Sequence, residues 1–482
     1  MILTKEKKDF FIILIGKILQ VVVMIISIKV MTALLPAKEM GSVYLFTTVY
    51  TFFVLAFISP FGQYINRHTH AWWRNKSLLN NLTLYILYLI LVGVSAVIIG
   101  YILYSFGILN HITLFTFLLL LFFSILFMTL NQTIIPLLNM LHYRFSFTIL
   151  TLLTSLGILV FGYIFIDING AKSSGWLWGI VVSNVIFMFI GALILWNNLH
   201  ESFATFLKNT RKITRENLKS ILKFVLPLSI ATLFMWLQNS GYRIVVEQKI
   251  GLEFLGFLGV GLAVSGQIAG VFESIAMQYF HPIYYEKISH SDLEGRTIAI
   301  NELINKVLPI YLMLAIFLTF LAKYVVETLV DENYYGVYIF TIFGVWMEFF
   351  RMTTNLLGNI SQSEMNTKKF ILPYFVGSMA TLFLVYFSSL TTEYKLYLPM
   401  ALTIGGFITF IFMYISMKKL INFSINYILL FYAFLLSIPY TIVCLFSDYD
   451  VYIGLLIVCI FGLYFLGTIY FVYKKGLKYD YS

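Results

Sequence analysis

Within "TIFGVWMEFFRMTTNLLGN", residues 341 to 359, the polar or small residues Thr341, Gly344, Glu348, Arg351, Asn355 and Asn359 recur at intervals of three or four. That spacing sets all six on one face of a helix. Two chemistries suit such a face: an internal Glu348–Arg351 pair three residues apart, or a wet pathway where Arg351 grips an anion by charge-assisted hydrogen bonds. Other cations share the predicament. "NSGYRIVVEQKIGLEFLGFLGV", residues 239 to 260, carries Arg243, and "SIKVMTALLPAKEMGSVYLF", residues 27 to 46, carries Lys29, with Lys17 earlier in the same apolar run. A basic residue at mid-membrane costs about 2.5–3.5 kcal/mol, so four cost roughly 10–14 before relief. Lys17 and Lys29 can find relief by snorkelling to the interface or by facing a cavity. Arg243 can pair with Glu247 one turn on, or extend the polar line begun by Asn239. Two acids also fall inside apolar runs, Glu273 and Glu348. Either can carry a proton or sodium ion, and Glu273 can also snorkel.

The elements that hold these residues follow from composition. Of 482 residues 60% are hydrophobic and 11% charged, whereas a soluble domain carries about 25% charged residues. Such a chain needs lipid as solvent, where spans are helices or closed barrels. The apolar runs are continuous over the length of a membrane helix and lack the alternation of barrel strands. An all-α polytopic protein of about fourteen transmembrane helices is therefore expected. "MILTKEKKDFFIILIGKILQ" begins like a signal peptide, but its apolar run is too long and lacks a cleavage site, so an uncleaved first span is expected. Cys444 and Cys459 support neither a disulfide framework nor a metal site.

Basic residues cluster in alternate connections, such as Lys5, Lys7 and Lys8, Arg67, Arg74 and Lys76, the run from Lys208 to Lys223, and Lys474, Lys475 and Lys478. The opposite connections hold Lys38, Lys172, Lys249, Lys323 and Lys395. This bias predicts cytoplasmic N- and C-termini. It also accounts for the net charge of +10 without nucleic acid as a partner. The domain organisation expected is residues 1–200 as a first lobe of six helices, 201–222 as an amphipathic cytoplasmic linker, 223–420 as a second lobe, and 421–482 as two further helices. Aligned so that Lys29 meets Arg243, the first and seventh spans match without a gap, Asp9 meeting Lys223 and Phe10 meeting Phe224. Each ends in a turn followed by Glu, an apolar residue and Gly. Copies of one orientation six spans apart describe a parallel repeat, a pseudo-two-fold along the membrane normal.

"ALLPAKEMGSVYLF", "ILKFVLPLSIATLFMWLQNSGYRIVVEQKIGLEFLGFLGV" and "YFHPIYYE" resemble the polysaccharide and lipid-linked oligosaccharide (O-antigen type) flippases of the multidrug/oligosaccharidyl-lipid/polysaccharide exporter superfamily. Many members have Arg where Lys29 stands and Asp where Tyr242 stands. The resemblance implies two six-helix lobes around a central cavity, with two helices added at the C-terminus. It implies a protein of the bacterial inner membrane that carries an undecaprenyl-diphosphate-linked glycan to the outer leaflet, within O-antigen, lipopolysaccharide or capsule biosynthesis. Its partners would be that lipid-linked glycan, membrane lipids, a polymerase and a chain-length regulator. Lys29, Arg243, Arg351 and Lys17 would then meet the diphosphate, Asn239, Asn355 and Asn359 would line the cavity, and Glu348 and Glu273 would couple to an ion gradient. No cofactor, metal or catalytic residue is expected.

Two other classes compete with this reading. A multidrug exporter of the same fold needs a cation-binding acid, and its first-lobe acid has no counterpart in the spans here. A membrane glycan polymerase or glycosyltransferase needs a large external loop or clustered Asp and His ligands. His68, His70, His111, His142, His200, His281 and His290 are instead scattered near expected membrane edges.

Overall fold

The computed structural model describes residues 5–198, 215–288, 291–445 and 451–479, and among these every regular element is helical. Fourteen helical segments follow one another. The first six are α1 (Lys5–Leu34), α2 (Ala37–Phe53, running on through Val54–Ile58 and Ser59–Arg74), α3 (Leu78–Ser105), α4 (Leu114–Met140), α5 (Arg144–Asn169) and α6 (Ser173–Asn198). Next come α7 (Arg215–Trp236, Leu237–Gly241 and Tyr242–Lys249), α8 (Leu252–Ile288), α9 (Leu293–Leu329) and α10 (Tyr338–Ser363). The last four are α11 (Thr367–Ser388), α12 (Tyr394–Lys418), α13 (Tyr427–Leu445) and α14 (Val451–Tyr479). Of the linker expected over 201–222, residues 201–214 lie outside the described residues, and 215–222 are the first turns of α7.

Twelve of these segments are long and apolar enough to cross a membrane, which makes this a multi-pass membrane protein. The segment α10, which bears Arg351, falls short because its polar face dilutes the apolar run below that of an ordinary span. Three segments contain a single wide turn with the π hydrogen-bond pattern: Val54–Ile58 in α2, Ser124–Met128 in α4 and Leu237–Gly241 in α7. Each inserts one residue into an otherwise regular helix and re-aims the turns beyond it.

The chain divides into two compact units, Met1–Trp236 and Leu237–Ser482. The division falls inside α7 at its wide turn, not at residue 223 after the linker. The cause is visible in the side chains. Thr232 donates to the Leu55 carbonyl (2.7 Å) and the Trp236 indole to the Thr48 carbonyl (2.9 Å), both on α2. Gln238, two residues later, donates its amide to Thr409 Oγ1 on α12 (2.5 Å).

In the first unit α5 and α6 pack closely because Gly162 and Gly179 meet backbone to backbone; a Cβ on Gly179 would lie 2.3 Å from Gly162 N. Ser183 of α6 donates to the Thr154 carbonyl of α5 (2.8 Å), and the Asn131 amide ties the pair to α4 by donating to the Asn184 carbonyl of α6 (3.3 Å). Asn131 is thus glue between helices. Glu39, opening α2, accepts the Ser173 amide at the start of α6 (2.7 Å), where a carboxylate also meets the positive end of the helix dipole.

In the second unit α11 and α12 cross through reciprocal pairs, Gly377 against Thr409 and Gly405 against Thr381. The segments α13 and α14, the two further helices expected over 421–482, pack on α9. Asn301 and Asn305 of α9 accept the amides of Ser424 and Asn426 (both 2.7 Å), and Asn426 in turn caps α13. Phe465 stacks on Phe317 of α9 and Tyr440 meets it edge-on, with centroids at 5.1 and 5.3 Å.

Candidate functional site

The densest polar cluster within the spans lies in the second unit, where α8 meets α10. Small residues let these helices approach. Thr341 donates to the Gly261 carbonyl (3.0 Å), and a Cβ on Gly344 would lie 2.3 Å from Ser265 Oγ. Below this contact the polar face of α10 turns onto α8. Arg351 Nε donates to Glu348 Oε2 (2.6 Å) and Arg351 Nη2 to Glu273 Oε2 of α8 (2.8 Å). Asn355 donates to the other Glu273 oxygen (2.9 Å), and Tyr374 of α11 donates to Asn355 Oδ1 (3.5 Å). One guanidinium thus serves two carboxylates. Their side chains are 30% (Arg351), 17% (Glu273) and 10% (Glu348) exposed. With all three ionised the group carries a net charge of −1, and removing the arginine would strand two acids together.

Two further groups border this triad. Tyr311 of α9 is completely buried; its hydroxyl lies in the electrostatic field of Glu273 and Arg351 and has no hydrogen-bond partner among the described residues. His281 stands eight residues after Glu273 on α8, its imidazole interacting with the Asn359 side chain. The polar line continues as Tyr285 donates to Gln362 Oε1 (3.4 Å), and it ends at the bidentate pair of Arg296 and Glu364 (2.8 and 3.3 Å). Nearby, Lys287 and Lys306 both pair with Glu302.

The structure therefore brings together Glu273, Glu348, Arg351 and Asn355, with Asn359 one turn further along α10. It does so as an ion-paired triad: the guanidinium expected to face an anion is held by two acids, because α8 delivers Glu273 to the same face. The remaining expected residues lie elsewhere. Asn239 sits in the wide turn of α7, and Arg243 one turn on, partly exposed, its guanidinium 5.8 Å from the Tyr242 ring centroid. Lys17 and Lys29 are partly exposed on α1 of the first unit. Sequence reasoning misses Tyr311, Tyr374 and His281. Tyrosine in an apolar run reads as hydrophobic, and His281 reads as a membrane-edge residue. The spacing Glu273–His281 on one face of α8 is the available signal.

No protein-family model and no curated protein sequence matches the chain. Solved structures do. The lipid II flippase MurJ in an inward closed conformation aligns with a TM-score of 0.70 at 13% identity, covering 97% of this chain and 99% of that one. An inward-facing multidrug resistance MATE family transporter of the MOP superfamily gives 0.56 at 16% identity, covering 84% and 94%. An outward-facing transporter of that kind gives 0.53 at 15%, covering 86% and 96%. The fold is that of MOP-superfamily transporters.

Proposed function

We propose that this chain is a flippase that moves a polyprenyl-diphosphate-linked glycan from the cytoplasmic to the outer leaflet of a bacterial inner membrane by alternating access, with both termini cytoplasmic. The glycan would be an O-antigen, capsule or related repeat unit. The observation that carries this reading is the alignment with the lipid II flippase over 97% of the chain, which takes in α13 and α14, against 84% for the multidrug transporter. The intramembrane cations support it. Lys29, Arg243 and Lys17 offer positive charge to a diphosphate, strengthened by the low dielectric around them. Arg351 joins them by exchanging a carboxylate for a phosphate oxygen. The decisive experiment is surface-glycan export in cells that depend on this protein. Loss of export in Arg243→Ala and Lys29→Ala, with protein levels unchanged, supports the reading; unaltered export removes it.

One observation favours a second reading, a multidrug exporter. Two acids against one arginine at the triad suit a cationic substrate better than an anionic one. Overexpression separates the two: an exporter raises resistance to lipophilic cations, whereas a flippase restores surface glycan.

A further inference from the structure

We propose that a polar line along α8, running from Gln267 to Tyr285 beside the polar face of α10, holds the glycan of the lipid-linked substrate and selects uncharged repeat units over acidic ones. The proposal rests on the flippase reading and deepens it by naming the substrate class.

A second stripe is the first observation. Gln267, Gly270, Ser274, Gln278, His281 and Tyr285 recur along α8 at intervals of three or four, which sets them on one helical face. This face adjoins that of α10: Tyr285 donates to Gln362 Oε1 (3.4 Å), and the His281 imidazole interacts with Asn359. Within the stripe Gln278 donates to Ser274 Oγ (3.0 Å). From Glu273 to Tyr285 the line is about 18 Å long, room for a short oligosaccharide.

The stripe is also open. Gln278, Tyr285 and Asn355 are exposed, and a Cβ on Gly270 would meet nothing within 4 Å. Carboxamides exposed in the interior of membrane helices find no partner in hydrocarbon, so this face looks onto water or a polar ligand. Gln267 Oε1 is buried and has no hydrogen-bond partner among the described residues, whereas such an acceptor is normally satisfied.

The groups on offer are those that recognise sugars. A carboxamide presents donors and an acceptor side by side, which matches hydroxyls that both give and take a hydrogen bond. Tyr285 adds an apolar ring for the C–H face of a pyranose and a hydroxyl at its tip. A lipid tail uses neither kind of group.

Charge sets the class. The two cations on the line are each held by carboxylates, Arg351 by Glu273 and Glu348, and Arg296 by Glu364. Lys287, two residues beyond Tyr285, falls on the far side of α8 and pairs with Glu302. Two arginines against three acids leave an excess of negative charge. A uronic or sialic acid therefore meets like charge along this line. Exchange of a carboxylate for the diphosphate at Arg351 uncovers a further acid and sharpens the discrimination. An uncharged sugar needs only the hydrogen bonds that the stripe offers.

The test measures binding to the full chain in lipid nanodiscs with three synthetic probes. These are a bare short-chain polyprenyl diphosphate, the same lipid bearing a neutral N-acetylhexosamine–hexose disaccharide, and that disaccharide lipid with the hexose oxidised to its uronic acid. The neutral probe should bind about ten-fold more tightly than the bare lipid, and the uronate no more tightly than the bare lipid. In Gln278→Ala, a change at an exposed position that folding tolerates, the ratio of neutral to bare affinity should fall to near one. Glu364→Gln releases Arg296 and should raise the affinity of the uronate probe about ten-fold. A neutral probe no better than bare lipid, a uronate as tight as the neutral probe, an unchanged ratio in Gln278→Ala, or a uronate indifferent to Glu364→Gln overturns the proposal. The bare lipid judges the flippase reading separately: binding without sugar preference removes this proposal alone, and no binding of any probe removes both.

Discussion

Trp236 and Gln238 lie two residues apart on α7 yet are tied to different units, the indole to the Thr48 carbonyl of α2 and the amide to Thr409 of α12. The wide turn Leu237–Gly241 begins between them. A turn of this kind carries one residue more than an α-helix needs. The wide turn is thus the part of α7 that lies between an anchor in each unit. Deleting Leu237 should close the turn into regular helix. The expected outcome is a monodisperse protein whose melting temperature in detergent is near the wild type, with transport abolished. Transport at the wild-type rate would show that the turn is passive.

The triad predicts an unusual mutational order. Arg351→Ala leaves Glu273 and Glu348 facing each other and should cost about 3 kcal/mol, the low end for a buried pair because the guanidinium is partly exposed. Glu348→Gln keeps a hydrogen-bonding isostere and leaves Arg351 paired with Glu273, so its cost should be about 1 kcal/mol. Combining Arg351→Met with Glu273→Gln and Glu348→Gln removes every charge and should recover most of the stability lost in Arg351→Ala, while transport stays lost. Thermal unfolding of the three variants checks the order; a triple variant less stable than Arg351→Ala contradicts it.

Lys29 and Arg243 predict a different pattern, because their proposed work is on the substrate. Lys29→Arg keeps the charge and should keep export. Lys29→Ala should lose it at an unchanged melting temperature, since a partly exposed side chain contributes little to folding. Export measured alongside protein abundance separates the two effects; a drop in abundance that matches the drop in export would assign Lys29 a structural role.

Much of the fold was readable because lipid leaves the backbone so few choices. The fourteen apolar runs became fourteen helical segments, and α10, with the longest polar face, is too polar to count as an ordinary span. The α10 face from Thr341 to Asn359 was legible because all six residues share one helix, where spacing fixes direction. Its partner was not, because nothing in the order of residues says that α8 brings Glu273 against Arg351. Sequence could weigh an internal Glu348–Arg351 pair but not a third member 78 residues away. The division of the chain inside α7 was hidden for the same reason. The basic run from Lys208 to Lys223 marks a break in hydropathy, whereas the break in packing is set by what Trp236 and Gln238 touch.

Two glycines of the first unit test how far close packing of helices depends on backbone contact. A Cβ at Gly179 would lie 2.3 Å from Gly162 N and 2.4 Å from its Cα, whereas the nearest atoms to a Cβ at Gly93 belong to the Phe122 ring, at 3.0 Å. A ring can swing by a few tenths of an ångström within its rotamer; a helix backbone cannot yield without moving its whole segment. Gly179→Ala must therefore push α5 from α6 and disturb the Ser183–Thr154 hydrogen bond that depends on their separation. Its cost should be about 2–3 kcal/mol, at the upper end for overpacking, and that of Gly93→Ala about 1 kcal/mol or less. Both substitutions raise helix propensity equally, so the difference in melting temperature isolates the packing term. Equal melting temperatures for the two variants would mean that α5 and α6 can separate freely, and that their close approach contributes nothing to holding the first unit together.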